Sequence, residues 1–68
     1  MGRQYKKDTL QFLFIARGSA YEVETLLNIG QMINLLDKMV FDQLIVQVSQ
    51  TIKLLNGLIN YWEKAALK

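Results

Sequence analysis

The chain contains no cysteine and no histidine among its 68 residues. Without cysteine it has neither disulfide bonds nor thiolate metal sites, and without histidine it has no imidazole to act as a general base or metal ligand. Glu22 and Glu24 stand two residues apart, a spacing that points them to different sides of a helix and prevents acid/base cooperation. We therefore expect a protein that is not an enzyme and that holds no cofactor or metal.

Long uninterrupted hydrophobic runs are also missing, although 51% of the residues are apolar. The apolar residues recur at helical spacing and never reach the roughly 18 consecutive positions that a membrane span requires. The basic N-terminus is not followed by the hydrophobic segment and cleavage site of a signal peptide. The sequence predicts an all-α protein in the cytoplasm, with no membrane partner.

The chain is short for a core that is stable alone. Domains below roughly 70 to 80 residues seldom bury enough apolar surface without a further aid to stability. With disulfides and metals excluded, association with other helices is the remaining aid. We expect one helical domain over residues 1–68 that forms a homo-oligomer.

The first half predicts a long helix over residues 9–33, approximately, with its N-cap at Asp8 or Thr9 and a mobile or frayed lead-in at residues 1–8. Beyond the cap, apolar and small residues alternate spacings of four and three, which is typical of a bundle helix. They are Phe12, Ala16, Ser19, Val23, Leu26, Gly30 and Ile33. A second row, at spacing seven, makes the face wider than one neighbouring helix can cover; it contains Leu13, Ala20 and Leu27.

Gly18 lies in the middle of this helix, where glycine costs about 1 kcal/mol relative to alanine. One explanation is the close approach of another helix, helped by the small neighbours Ala16, Ser19 and Ala20. The other is a kink, or a break into two helices. Gly57, beside an apolar row of the second helix, favours a close contact in the same way.

A short turn is predicted at residues 34–37. Asn34 tolerates the left-handed conformation that ends helices, and Asp37 is a good N-cap for the next helix. Leu35 and Leu36 are expected to pack over the helix end. Because the connection is short, the second helix should run antiparallel to the first.

The second helix, over residues 38–66, has a row that alternates spacings of four and three without interruption: Phe41, Ile45, Val48, Ile52, Leu55, Ile59, Trp62 and Ala66. A second row contains Leu44, Thr51, Leu58 and Ala65. Two helices cannot bury two such wide faces against each other, so we expect two hairpins to form a four-helix bundle as a dimer, with a larger bundle as the alternative. The residues expected in this self-association are Phe12, Ala16, Gly18, Ser19, Val23, Leu26, Ile45, Val48, Ile52, Leu55, Ile59 and Trp62.

A net charge of +2 does not by itself indicate a nucleic-acid partner. An antiparallel hairpin, however, brings both chain ends together at what we call the basic pole, whose cations are Arg3, Lys6, Lys7, Lys64 and Lys68. Tyr5, Tyr61 and Trp62 lie near them in the sequence, and cations beside aromatic rings can bind phosphates and stack bases of RNA or DNA. The alternative is that Lys64 and Lys68 only complement the helix dipole while Trp62 belongs to the core.

Several short motifs follow one another in the order found in a known family. They are FLFIA (residues 12–16), Gly18-Ser19, EVETL (22–26), Ile29, the turn at 35–37 and LLNGLI (54–59). Over residues 8–62 the chain resembles the C-terminal half of the four-helix bundle family of 23S rRNA intervening-sequence proteins and, more distantly, the accessory variability determinant of diversity-generating retroelements. The resemblance implies up-down four-helix subunits that form pentamers, with basic surfaces for nucleic acid. It also implies that two further helices, which precede this region in the family, are not part of this chain.

Overall fold

The structure, a computed structural model, describes the backbone of residues 2–66 and the side chains of residues 6–65. Over that range the chain forms two α-helices, α1 (Gly2–Met32) and α2 (Lys38–Ala66), and no strand. The helices pack side by side and antiparallel, as a hairpin that measures 48 × 14 × 13 Å. The all-α hairpin predicted from the sequence is confirmed.

The start of α1 differs from the prediction. The helix begins at Gly2 and not at Asp8 or Thr9, so the predicted start is wrong and residues 2–8 belong to α1. Lys6 donates a hydrogen bond from Nζ to the carbonyl oxygen of Ala65, 3.0 Å away, and Thr9 is half-buried. Contacts with the end of α2 thus extend the helix past the point where local capping would begin it, because packing supplies most helical stability in proteins.

The middle of α1 is continuous through Gly18, so the break considered at that position is wrong. A Cβ added at Gly18 would meet no atom within 4 Å, and the same holds at Gly57. Neither glycine is therefore explained by close approach of α1 to α2. A close contact at either position would have to come from outside the hairpin.

The turn between the helices closes as a Schellman motif. Asn34 has a φ of 63°, as predicted for the residue that ends α1. Its amide donates to the Gln31 carbonyl at 3.1 Å, and the amide of Leu35 donates to the Gly30 carbonyl at 2.8 Å. Leu36 packs against Gly30 as expected, whereas Leu35 is exposed, which corrects the prediction that both leucines cover the helix end.

The bounds of α2 agree with the prediction, and Asp37 caps it. The Asp37 carboxylate accepts a hydrogen bond from the amide of Val40 at 2.9 Å, and its carbonyl accepts the first helical bond, from Phe41. These two bonds satisfy amides that the first turn of a helix otherwise leaves unpaired. A local cap therefore fixes the start of α2, unlike that of α1.

The interior of the hairpin is narrow. Its buried residues are Leu13 of α1, 6% exposed, and Ile52 and Ile59 of α2. On α2 these residues belong to the regular row, so that row faces α1. On α1 the residue in contact comes from the second row, with Ala20 and Leu27 half-buried beside it. The row of α1 that begins at Phe12 therefore lies to one side of the helix contact.

Candidate functional site

One side of the hairpin is lined by apolar side chains from both helices. Each residue of an α-helix is rotated by about 100° from the one before it. Measured from Leu13, which faces α2, the side chains of Phe12, Val23 and Leu26 are rotated by about 80° to 140° around the axis of α1, all in the same direction. Counted from Ile52, Leu44 and Leu58 lie about 80° and 120° round α2 in the same sense. Because the helices are antiparallel, the same sense of rotation leads to the same side of the hairpin. We call this side the apolar face; it consists of Phe12, Val23, Leu26, Val40, Leu44 and Leu58.

Much of the apolar face is open to solvent. Phe12 is 68% exposed, Leu26 64% and Val23 45%, and Val40 and Leu58 are exposed to a lesser degree. Within residues 6–65, no lysine or arginine lies on this side; Asp8 lies at its edge, near the chain ends. Exposed contiguous apolar patches of this kind mark interaction sites in proteins.

The amount of exposed surface is large for the size of the chain. A compact protein of 7.9 kDa is expected to expose about 4,400 Å², whereas this hairpin exposes 5578 Å². Its radius of gyration is 15.4 Å, against about 11 Å for a compact chain of this length. The excess of roughly 1,200 Å² is comparable to the roughly 800 Å² that each partner buries in a standard protein interface.

Apart from Gly18, the residues predicted for self-association fall into three groups in the structure. Phe12, Val23 and Leu26 are exposed on the apolar face, and Ser19 is exposed on the same side of α1. Ile52 and Ile59 are already buried by α1 of the same chain. The half-buried residues at the margins of the hairpin interior are Ala16, Ile45, Val48, Leu55 and Trp62.

Gly18 is the remaining residue predicted for self-association, and it is exposed. It is rotated by about 140° from Leu13 around the axis of α1, in the direction opposite to Phe12. It therefore belongs to the other side of the hairpin and not to the apolar face.

The basic pole is described only in part, since the side chain of Arg3 and all of Lys68 lie outside the described residues. Lys6, Tyr61, Lys64 and Ala65 line an open cleft of about 390 Å³ at this end. Lys6 is half-buried and bonded to the Ala65 carbonyl, so its charge partly serves the C-terminus of α2. Lys64 is exposed, and the ring of Tyr61 meets that of Trp62 edge to face, 5.6 Å between centroids.

Four cations lie on the side opposite the apolar face. Two of them, Lys7 and Arg17, belong to α1, and two, Lys53 and Lys64, belong to α2. Measured from Leu13 and Ile52, they are rotated around their helix axes by about 40° to 120°, in the direction opposite to the residues of the apolar face. We call this side the basic face and define it by these four residues. The prediction of a basic pole missed Arg17 and Lys53, which lie in the middle of their helices; the same helical count applied to the charged residues would have grouped them.

Arg17 is held in place by both helices. Its Nη1 donates to Oδ1 of Asn56 on α2 at 2.9 Å, and its Cζ lies 5.5 Å from the centroid of the Phe14 ring. A guanidinium group has five N–H donors, so the single bond to Asn56 leaves most of them for a ligand. Phe14 and Tyr21, three residues before Arg17 and four after it, are partly exposed on the same side.

The described residues give no sign of a metal site or a membrane span. Among residues 6–65, no three acidic side chains lie close enough together to hold a metal ion. Neither α1 nor α2 contains, in its described part, an apolar stretch long enough to cross a membrane. The candidate sites are therefore the apolar face and the basic side of the hairpin.

A protein-family model described as 23S rRNA-intervening sequence protein matches residues 1–57 of the chain. The match covers α1, the turn and about two thirds of α2, and it confirms the family resemblance drawn from the motifs. No curated protein and no solved structure matches the chain.

Proposed function

The chain belongs to the 23S rRNA-intervening sequence protein family, and we propose that it is a non-enzymatic helical module that associates with a second copy of itself through the apolar face. The observation that carries this proposal is a row of exposed apolar residues that follows both helices along one side of the hairpin, with no lysine or arginine of residues 6–65 on that side. The opposite side also exposes apolar residues, such as Met32 and Val46, but it carries the cations. The cytoplasmic location expected from the sequence is part of the same proposal.

A second copy suits this face better than an unrelated partner for two reasons. The face runs along a hairpin 48 Å long, and another hairpin of the same length would cover it from end to end. A two-fold axis places the same patch on both partners, and an apolar patch without cations is complementary to itself. Two hairpins packed in this way form a four-helix bundle and cover the apolar face of each chain.

A lysine at Leu26 tests the proposal. Burying a leucine contributes about 1.5 to 3 kcal/mol, and a symmetric dimer contains the residue twice. We expect Leu26→Lys to weaken dimerisation by about 100-fold or more, measured by light scattering on a sizing column over a series of protein concentrations.

Val46→Lys is the matched control, because Val46 is 52% exposed on α2 about 120° from Ile52, on the side of the basic face. It should leave the dimer intact. Equal weakening by both variants, or by neither, would contradict association through the apolar face. Three or more copies in the unmodified protein would contradict the dimer.

RNA or DNA binding at the basic pole is the second candidate function. The cleft between Lys6, Tyr61 and Lys64 supports it, because it combines cations with an aromatic ring at the surface. Replacing Lys7 and Lys64 together by glutamine should lower affinity for a single-stranded oligonucleotide and flatten its dependence on salt. If the unmodified protein does not bind at low salt, this candidate is excluded.

A further inference from the structure

We infer that a single strand of nucleic acid crosses the basic face, beyond the pole, and that Arg17 holds one of its phosphates in the middle of the hairpin. The inference rests on the second candidate function and names a different contact surface for it. The observations behind it are the distribution of cations, the contacts of Arg17 and the position of two aromatic rings.

The cations are distributed unevenly around the hairpin. Every lysine and arginine within residues 6–65 is rotated from the helix contact toward the side opposite the apolar face. Lys7 and Lys64 lie near the chain ends, and Arg17 and Lys53 lie on average about 16 Å farther along their helices, at about 1.5 Å per residue. Together they continue the positive charge of the pole along the side of the molecule.

Arg17 differs from the other cations of the basic face because its guanidinium group has two partners within the hairpin. The Asn56 hydrogen bond and the Phe14 ring restrict the conformations of its side chain before any ligand binds. A ligand that binds such a group loses less conformational entropy than one that must order a free arginine. The remaining N–H donors form a planar fork that matches the oxygens of a phosphate.

The surroundings of Arg17 favour a nucleic acid over an acidic peptide. Phe14 and Tyr21 are 42% and 45% exposed, so bases on either side of a bound phosphate could stack on their rings. Gly18 and Gly57, next to Arg17 and Asn56 in the sequence, carry no side chain, and a Cβ added at either would meet no atom within 4 Å, so a sugar-phosphate backbone has room to approach there. An acidic peptide would use the cations but would have no need of the exposed rings.

The surface should end near the middle of the hairpin. Toward the turn, the same side carries the carboxylate of Asp42 and the exposed apolar side chains of Met32, Met39 and Val46. Lys38, the first residue of α2, is exposed beyond them at the turn. We therefore expect Lys38 to make no contact with the strand, which provides a control of the same charge.

The test is binding of a fluorescent oligo(dT) 12-mer, titrated at several salt concentrations. Arg17→Gln should lower affinity by about tenfold, and Lys53→Gln by a few fold. For single strands the slope of log K against log salt falls by about 0.7 per lost phosphate contact. Lys38→Gln should leave affinity and slope unchanged within twofold.

Asn56→Ala distinguishes the contribution of the positioned Arg17 side chain from that of its positive charge. It removes the hydrogen bond to Arg17 without changing the net charge. It should lower affinity a few fold while the helical circular dichroism spectrum stays the same. Arg17→Lys keeps the charge but loses the fork, and its affinity should fall between those of Arg17→Gln and the unmodified protein.

Two outcomes would overturn the inference and leave the second candidate function standing. The first is loss of binding in the Lys7 and Lys64 double variant while Arg17→Gln and Lys53→Gln bind like the unmodified protein. The second is equal loss in Lys53→Gln and Lys38→Gln, since binding would then follow net charge alone. Competition by poly-glutamate as strong as by unlabelled oligonucleotide would overturn the choice of nucleic acid. No binding by the unmodified protein would end both proposals.

Discussion

The interior of the hairpin and the apolar face are built from the same kinds of residue at the same helical spacings, yet only the interior is covered within the chain. Ile59 is 4% exposed against α1, while Leu26 is 64% exposed on the apolar face. Isoleucine and leucine are closely similar in size and hydrophobicity. The difference is that α1 covers Ile59, whereas no element in the described part of the chain covers Leu26. A helical pattern thus shows that a side is apolar without showing whether its partner lies in the same chain.

Truncation in the interior should have the largest effect. Ile59→Ala removes a buried side chain and leaves a cavity between the helices, which costs about 2 to 5 kcal/mol in the free energy of unfolding. Thermal unfolding followed by circular dichroism should show the loss at every protein concentration. A variant as stable as the unmodified chain would mean that the two helices do not rely on this contact.

Truncation on the apolar face should have a smaller effect, and one that depends on concentration. Phe12→Ala removes a side chain that is 68% exposed in the single hairpin, so it should leave the stability of the monomer almost unchanged. In the dimer both copies lose apolar contact area, and the melting temperature should fall only where the unmodified protein is associated. The same shift at all concentrations would place Phe12 in the interior of its own chain.

Loss of the helix cap at Asp37 should destabilise the monomer and the dimer equally. Asp37→Ala removes the acceptor for the Val40 amide and should cost about 1 kcal/mol in the free energy of unfolding. Because the cap lies at the turn, the dissociation constant of the dimer should not change. Asp37→Asn is the matched control, since asparagine caps helices about as well.

Alanine substitutions at Gly18 and Gly30, which lie on different sides of the hairpin, should have the smallest effects on stability. Gly18→Ala meets no atom within 4 Å and should raise the free energy of unfolding by up to about 1 kcal/mol through helix propensity. Gly30→Ala would place its Cβ 3.2 Å from Cδ1 of Leu36, so the gain should be smaller or absent. Destabilisation by Gly18→Ala would instead show that another helix packs on the side of the basic face.

The parts of the fold that depend on local chemistry could be predicted from the sequence. The left-handed Asn34, the Asp37 cap and the bounds of α2 follow from residues within one turn of each feature. The start of α1 could not be predicted in this way, because it depends on Lys6 and its contact with Ala65 at the far end of the chain. Long-range packing overrode the local capping signal at Asp8 and Thr9.

The candidate sites show the same limit. The apolar rows were evident, but which row of α1 meets α2 depends on the rotation of each helix, and both rows have a regular period. The contact between Arg17 and Asn56 depends on the register between the helices, which the turn sets. Neither Arg17 nor Asn56 stands out from its neighbours in the sequence, so their contact could not be predicted from the sequence, although a helical count would have grouped the cations of the basic face.

The most direct test of association through the apolar face is the solution mass of the unmodified chain, measured by light scattering over a concentration series, with helicity recorded on the same samples. We predict a mass of about 16 kDa, twice the 7.9 kDa of one chain, over a helical spectrum. A mass that stays at 7.9 kDa at the highest concentration, with helicity intact, would contradict it.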